Sequence, residues 1–436
     1  MYVNIMKTVK NHKKGVKNMK KSHLCSITLS LVLILAMLLN FSGCGVKVNA
    51  QDLMQGITPN KVTPLENLDD TNPKMTDFAV RLFKASLQED KNTLISPLSI
   101  ISALAMTANG AQNETLEEME SVFGLNLQEL NPYLHTYIKN LPQGKKYKLN
   151  LANSIWFTED ERFTVNKDFL QTNADYYNPE IYKAPFNNQT LKDINNWVNY
   201  KTDEMIPEIL NEIPESAIMY LVNALAFDAK WDEEYEDDQI EVDTFTNADG
   251  TTQEVDFMYS TENQYLEDEN SKGFIKYYKD KKYAFAAILP DEDLSLSEYI
   301  KTLNGDKLYN LLNSPEETEV EVSIPEFKSE YETEMSEVLI NMGMSRAFSN
   351  ILAQFQGLGT SIDGNIYISK VLHKTFISVG KDGTKAAAAT AVVMDDFWCS
   401  FISETKTVYL DRPFVYMLID TENNIPFFIG TMNEIK

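Results

Sequence analysis

Residues Gly383 to Met394 read GTKAAAATAVVM, a glycine followed by small residues and then by branched and long apolar ones. The four consecutive alanines favour a helix, because alanine has the highest helix propensity. The threonines and valines favour a strand, because β-branched side chains pack well on a pleated surface. Local preference alone therefore does not decide what this stretch becomes.

The whole chain has the composition of a large folded protein. Of its 436 residues, 43% are hydrophobic and 11% are aromatic, which is enough for extensive buried cores. Its three cysteines, Cys25, Cys44 and Cys399, are too few and too scattered for a disulfide framework or a cysteine-based zinc site.

Residues 1–43 have the charge pattern of a signal peptide. They contain seven lysines and no acidic residue, and their apolar run, Ile27 to Leu39, is shorter than a membrane-spanning helix needs. The following FSGC resembles a bacterial lipobox. We therefore predict that Cys44 is the lipidated N-terminus of an exported protein anchored to the cell membrane. Cleavage near Ala50 and an uncleaved anchor are the alternatives, and Met19 is a second candidate for the translation start.

The formal net charge of −25 is strongly acidic. Without the leader it becomes −32, from 32 basic and 64 acidic residues. Such a surface repels phosphate groups, so we expect neither nucleic acid nor anionic lipid as a partner.

Two regions follow the leader. Residues 44–74 contain prolines and polar residues without a periodic pattern, which is typical of a flexible tether. Residues 75–436 contain no second linker, repeat or low-complexity block, so we expect one large domain and a monomer. Helical patterns are concentrated early in this domain and strand patterns later, which predicts an α+β fold.

The chain offers little material for catalysis. After Cys44 its histidines are His135 and His373 and its one thiol is Cys399. A Cys399–His373 dyad is disfavoured, because the acidic neighbourhood MDDFWCSF raises the pKa of the thiol. The acidic run Asp232 to Asp243 lacks the glycine and the ligand spacing of a calcium loop, and phosphate-binding glycine motifs are absent from the sequence. We therefore expect no enzyme, no metal and no cofactor.

Eight stretches resemble, in this order, the characteristic segments of serpins. They are NTLISPLSIISALAMTANGAQNETLEEM, LANSIWF, LVNALAFDAKW, AILPDE, VSIPEFK, LINMGMSRAF, ISKVLHKTFISVGKDGTKAAAAT and DRPFVYMLIDTENNIPFFIGTM. The resemblance covers Met75 to Lys436 and implies three β-sheets, about nine helices and an exposed reactive-centre loop between Gly383 and Pro413. It also implies a suicide-substrate inhibitor of a serine or cysteine protease, whose cleaved loop inserts into the central sheet.

The opening stretch fits that implication. A strand in a packed sheet presents alternate residues to the core and to solvent. One parity contains only small or apolar residues, namely Thr384, Ala386, Ala388, Thr390, Val392 and Met394. The other parity carries both charged residues and consists of Lys385, Ala387, Ala389, Ala391, Val393 and Asp395. We therefore interpret residues 383–390 as the hinge of the loop and the whole run as a strand that forms after cleavage.

The resemblance implies roles for five further residues. Ser96, Ser99, Asn223 and His373 match the hydrogen-bonding shutter beneath the sheet, and Trp231 matches the breach tryptophan near the entry point of the loop. Core packing is the alternative role for all five.

Two lysines depart from the family's pattern, because Lys385 and Lys381 stand where acidic residues are common. Lys385 is on the solvent parity and should hinder insertion little. Lys381 leaves open a salt bridge that often steadies the top of the sheet. A non-inhibitory serpin-fold protein with a binding or chaperone-like role is the alternative function.

The family's spacing predicts a reactive bond between Phe397 and Trp398, fourteen positions beyond the hinge glycine. Phenylalanine before the cut predicts a chymotrypsin-like target protease. The loop is a few residues longer than in many serpins, so three other bonds are alternatives. They are Asp396–Phe397, Trp398–Cys399 and Cys399–Ser400, and cleavage after Asp396 would suit an Asp-preferring protease.

Overall fold

The computed structural model describes residues 48–88, 90–159, 163–214, 217–362, 364–384 and 406–435. All of them belong to one unit, residues 48–436.

Nine α-helices occur in the described residues. They are α1 (Asn72–Ser86), α2 (Pro97–Ala108), α3 (Asn113–Phe123), α4 (Leu127–Asn140), α5 (Lys167–Tyr177), α6 (Asn188–Lys201), α7 (Leu296–Thr302), α8 (Gly305–Asn313) and α9 (Ser336–Asn341). None of these helices in the described part of the chain is long and apolar enough to cross a membrane. Every residue of α2 is buried, which makes it the central helix of the fold.

Seven strands of the described residues form the main sheet. In spatial order they are β1 (Gln51–Asp52), β5 (Glu180–Ala184), β3 (Tyr147–Thr158), β6 (Met219–Lys230), β15 (Gly383–Thr384), β14 (Lys370–Gly380) and β12 (Phe327–Glu334). Alternate residues of β6 enter two different cores. Leu221 and Leu225 pack with the α2 side, whereas Tyr220 and Val222 pack with Trp197 of α6. The centre of the sheet is therefore covered on both faces, which explains why β6 is an almost continuous apolar run.

Within the described ranges, nine strands form the second sheet. In spatial order they are β16 (Lys406–Tyr409), β11 (Glu316–Pro325), β8 (Thr252–Asp268), β9 (Ser271–Tyr277), β10 (Tyr283–Pro290), β17 (Phe414–Asp420), β18 (Ile425–Met432) and β2 (Thr93–Ile95), and β7 (Ile240–Thr246) also pairs with β8. Strands β4 (Phe163–Val165) and β13 (Gly359–Ser361) form a third, small sheet. Helix α2 contacts β6 of the main sheet and β18 of the second, so it lies between the two.

The predicted α+β architecture with three sheets and about nine helices is confirmed. The position of the N-terminal segment is different from the prediction. Residues 44–74 were expected to be a flexible tether, but two short parts of residues 48–74 belong to a strand and a helix. Strand β1 pairs with β5, Leu53 N–H donates to the Ile181 carbonyl at 2.9 Å, and α1 begins at Asn72. The reason is that β5 would otherwise be an edge strand with unpaired backbone groups.

Candidate functional site

The candidate site is the place where β6 and β14 separate in the main sheet. The two strands are parallel and pair directly from Tyr220–Lys370 to Leu225–Thr375. Beyond that point β15 lies between them, antiparallel to both. Gly383 is opposite Lys230 and Gly380, and Thr384 is opposite Ala229 and Val379. The first two residues of the predicted hinge are therefore already a strand of the sheet.

Gly383 fits this position because it has no side chain. Its φ is +143°, and a Cβ atom there would lie 2.1 Å from the Ala229 carbonyl oxygen and 2.7 Å from the Lys230 Cα. Both the backbone conformation and the close approach of β6 exclude larger residues.

Thr384 is fully buried, on the side that the alternation of the sequence assigns to the core. Its Oγ1 atom lies 2.6 Å from the hydroxyl of Tyr278, which is also fully buried. This hydrogen bond joins the hinge to the turn between β9 and β10 of the second sheet.

The four predicted shutter residues lie together beneath the directly paired part of β6 and β14. Asn223 and His373 are opposite each other, and the His373 Nδ1 atom is 2.5 Å from the Asn223 Oδ1 atom. The Ser96 backbone N–H donates to His373 Nε2 at 3.1 Å, and the Ser99 hydroxyl lies 3.3 Å from Asn223 Oδ1. The Ser96 side chain contributes differently, because its oxygen caps α2 by accepting the Ser99 N–H at 3.2 Å.

His373 is a neutral imidazole in this network. Burial lowers its pKa to about 3, well below the ordinary value for histidine. Because a backbone N–H can only donate, Nε2 must accept from Ser96, and Nδ1 then carries the proton and donates to Asn223. The Nδ2 atom of Asn223 is buried and has no partner among the described residues. The network is thus nearly but not fully satisfied, and it connects the two strands that would have to separate.

Trp231 lies at the upper end of β6, where β15 enters. Its indole Nε1 donates to the Gly380 carbonyl at 2.8 Å, which ties the end of β6 to the end of β14. Its ring stacks on Tyr278 at 4.5 Å between centroids. The ammonium of Lys276 is 5.5 Å from the Trp231 ring and 4.4 Å from that of Tyr235, and it pairs with Glu262 at 2.6 Å.

Lys381, the other departure from the family's pattern, has an acidic partner. Its ammonium is 2.7 Å from Asp237, and this neighbour raises the pKa of the lysine. Its backbone N–H donates to a carboxylate oxygen of Glu326 at 3.2 Å. Lys381 is therefore held by two acidic side chains next to the end of β14.

Several predicted site residues lie outside the described residues. They are Cys44, the hinge residues Lys385, Ala386, Ala387, Ala388, Ala389 and Thr390, and the reactive-bond candidates Asp396, Phe397, Trp398, Cys399 and Ser400.

The sequence reasoning missed two residues of this site. Asn153 on β3 is opposite Asn223, and its Oδ1 atom lies 3.3 Å from the Ser99 hydroxyl, so it extends the shutter to a third strand. Tyr278 contacts both the hinge and Trp231. Asn153 is the one polar amide within the stretch LANSIWF, which was a usable signal, but its partner depends on a strand pairing 70 residues away.

Comparisons with known proteins agree with this geometry. The family model described as "Serpin (serine protease inhibitor)" matches residues 73–435. An uncharacterized serpin-like protein of Thermococcus kodakarensis is 29% identical over 373 residues, covering 83% of this chain and 85% of that protein. Serpin B6 of Pongo abelii is 30% identical over 369 residues, covering 81% of this chain and 96% of that protein.

Solved structures give the same result. The native state of Tengpin, a thermophilic serpin, matches with a TM-score of 0.85 and 48% identity, covering 88% of this chain and all of that chain (100%). Its latent state matches with a TM-score of 0.76 and 46% identity, covering 86% of this chain and 100% of that one. The family match, the relatives and the main sheet with its partly entered hinge lead to one conclusion: this chain belongs to the serpin family.

Proposed function

We propose that this protein is a suicide-substrate inhibitor that traps a protease as an acyl-enzyme by inserting its cleaved loop between β6 and β14. The observation that carries the proposal is β15, because two hinge residues are already paired with both strands. To form the inserted strand, the residues after Thr384 would only have to extend β15 between β6 and β14 in the same direction.

The register of β15 determines where the following residues would arrive. Thr384 is opposite Ala229 and Val379, so each further residue moves one position down both strands. Thr390 would then lie between Asn223 and His373, and Met394 would lie opposite Met219, the first residue of β6. The Thr390 hydroxyl would thus reach the row of Asn223 and His373 as the direct contact between these two residues breaks.

The proposed chemistry begins as ordinary proteolysis. The serine hydroxyl of the protease attacks the carbonyl carbon of Phe397, the bond to Trp398 breaks, and the new amino terminus of Trp398 leaves. Phe397 remains bound to the protease as an ester. Insertion up to Met394 would carry this ester to the far end of β6, about 36 Å from the entry point at about 3.3 Å per residue.

Insertion has a sufficient driving force. The direct β6–β14 ladder is lost, but the new strand forms a ladder on each side, so there is a net gain of roughly one ladder. Ten new hydrogen bonds at about 0.5–1.5 kcal/mol each, together with burial of two large apolar side chains at about 1.5–3 kcal/mol each, give an energy on the order of 10 kcal/mol. Because a protease domain is stable by only about 5–15 kcal/mol, this energy can distort its catalytic site.

The target and the location are further parts of the proposal. Phe397 before the cut supports a chymotrypsin-like serine protease, and a cysteine protease that forms a thioester could be trapped in the same way. The leader and the FSGC sequence support export and a lipid on Cys44. A radiolabelled fatty acid should be incorporated into the wild-type protein and not into a Cys44→Ala variant, and a wild-type protein without the label would overturn the lipid anchor.

The test of the function is incubation with chymotrypsin, followed by a denaturing gel and mass spectrometry of the released C-terminal fragment. We expect a covalent band of higher mass and a fragment that begins at Trp398. The matched control is Thr384→Arg, because a charged side chain cannot occupy the buried Thr384 position, and this variant should be cleaved without forming the band. Clean cleavage of the wild-type protein with active protease left over would favour the binding or chaperone-like alternative.

A further inference from the structure

Tyr278 occupies the junction of the hinge, the breach tryptophan and the two large sheets. It is fully buried, and its hydroxyl has Thr384 Oγ1 as a partner at 2.6 Å. One face of its ring stacks on Trp231 with an interplanar angle of 8°, and Phe227 of β6 contacts it edge-on at 5.1 Å. The Tyr278 side chain thus contacts β15 through Thr384, Trp231 at the end of β6, and Phe227 within β6.

The backbone of Tyr278 is held independently of the hinge. Its N–H donates to the Tyr283 carbonyl at 2.9 Å, and its own carbonyl accepts the Lys281 N–H at 2.9 Å, within the turn between β9 and β10. It also forms an isolated β-bridge with Trp231. The phenol is therefore presented to the main sheet from a fixed position in the second sheet.

The electrostatic surroundings keep the phenol neutral. Burial raises the pKa of Tyr278, so its hydroxyl is protonated throughout the physiological range. The groups that face it are the Thr384 hydroxyl and the rings of Trp231 and Phe227, and the charged Lys276 is paired with Glu262. The contact with Thr384 is thus a neutral, buried hydrogen bond, and removing either hydroxyl leaves the other without this partner.

We propose that Tyr278 is a positioning residue for the inhibitory reaction: it keeps Thr384 inserted between β6 and β14 before cleavage and so sets how often the acyl-enzyme is trapped rather than hydrolysed. The proposal rests on the proposed inhibitory function. Once the acyl-enzyme has formed, insertion competes with deacylation. A hinge that is already paired at its first two positions begins insertion from the second step, whereas an unpaired hinge must first enter the sheet.

The hydrogen bond between Tyr278 and Thr384 affects how the acyl-enzyme divides between trapping and hydrolysis. It does not affect the attack of the protease on the reactive bond. When β15 is extended in its present register, Thr384 stays opposite Ala229 and Val379. Its contact with Tyr278 is therefore present before and after insertion. Its loss therefore changes the population of the inserted hinge, while the reactive bond, thirteen residues further along, is attacked as before.

The test compares Tyr278→Phe with a matched control, Tyr283→Phe. Both tyrosines are buried and both variants lose one hydroxyl, but that of Tyr283 donates to the Pro142 carbonyl at 2.8 Å, away from the hinge. For Tyr278→Phe we expect a stoichiometry of inhibition up to about five-fold higher, the factor that one net hydrogen bond supplies, with an unchanged rate constant for acylation. For Tyr283→Phe we expect a similar loss of stability and an unchanged stoichiometry.

A second measurement does not depend on inhibition. Hydrogen exchange of the Thr384 amide in the intact protein reports whether the hinge is paired, and Tyr278→Phe should accelerate it by a similar factor. Faster exchange in a protein that traps no protease would overturn the proposed function, and with it the effect of Tyr278 on trapping, and would leave only the conclusion that Tyr278 holds Thr384 in the sheet. Exchange and stoichiometry that both match those of Tyr283→Phe would overturn the proposal for Tyr278.

Discussion

Gly383 is the residue on which entry into the sheet depends most directly. A Cβ atom at this position would overlap the Ala229 carbonyl oxygen at 2.1 Å, and the φ of +143° is unfavourable for any side chain. We therefore expect Gly383→Ala to prevent β15 from pairing, to destabilise the intact protein by about 1–3 kcal/mol and to turn the inhibitor into a substrate.

The stoichiometry of inhibition and the urea midpoint measure these two effects. Gly250→Ala is the matched control, because Gly250 also has a positive φ, +81°, but nothing lies within 4 Å of its Cβ position. Gly250→Ala should lose some stability and remain an inhibitor. Equal inhibition by the two variants would show that the close approach of β6 to Gly383 is unimportant.

His373 makes the stability of the protein depend on pH. Its pKa is about 3 in the folded state and about 6.5 when unfolded, so the unfolded chain binds a proton that the folded chain does not. This contribution to stability is complete above about pH 6.5 and is lost as the pH falls towards 3. Between pH 6.5 and 5 the loss is about 2 kcal/mol.

Urea unfolding at pH 7 and pH 5 measures this loss. A His373→Gln variant cannot titrate at this position, so its stability should change less between the two pH values than that of the wild-type protein, even if it is lower at both. If the two proteins lose the same free energy on acidification, another group is responsible.

At the scale of elements, the sequence predicted strands well where an apolar run has two boundaries. The apolar run YLVNALAFDAKW, Tyr220 to Trp231, overlaps β6, and the Asp249–Gly250 pair, a favoured hairpin turn, lies between β7 and β8. The stretch expected to be a tether contains a strand that its sequence does not indicate. Residues 51 and 52 have no periodic pattern, and they form a strand only because the edge of β5 is available. Such partners are distant in sequence, so a local pattern cannot reveal them.

The shutter residues also show that a local sequence pattern does not reveal partners that are distant in the chain. The four residues named from the family resemblance do lie together, but the part of each could not be read from residue type. Ser96 contributes its backbone N–H to His373 and uses its side chain as a helix cap. Asn153 joins the network through the pairing of β3 with β6.

The inserted strand provides a prediction about Thr390. Continuing the register of β15 places Thr390 between Asn223 and His373, on the face that α2 covers. In the cleaved form the Thr390 hydroxyl should form hydrogen bonds with Asn223 and His373, which lose their direct contact when β6 and β14 separate. Thr390→Val should therefore lower the stability of the cleaved form relative to the intact form by about 1–3 kcal/mol.

Denaturant unfolding of both forms of each variant gives this difference. Thr390→Ser is the control, because it keeps the hydroxyl and loses only a methyl group, and it should behave like the wild-type protein. Identical values for the valine and serine variants would mean that the strand stops before this row or enters in another register.

At the scale of the whole molecule, the intact protein has a main sheet that is not at its most stable. Strands β6 and β14 pair directly along half of β14 and are separated by only two residues of β15 at the top. A longer β15 would exchange one ladder for two and would bury the apolar parity of residues 384–394. Residues 385–405 are joined covalently to Thr384 at one end and to β16 at the other, so we expect the uncleaved chain to oppose a longer β15.

Cutting the loop should therefore stabilise the molecule. We expect that protein nicked by chymotrypsin and freed of protease melts well above the intact protein, because about ten hydrogen bonds and two apolar side chains are gained, on the order of 10 kcal/mol. Differential scanning calorimetry of both forms measures this difference. Nicked Thr384→Arg should melt at or below the temperature of its own intact form, since the strand cannot pass the blocked position. A nicked wild-type protein that melts no higher than the intact one would remove the driving force on which the inhibitory mechanism depends.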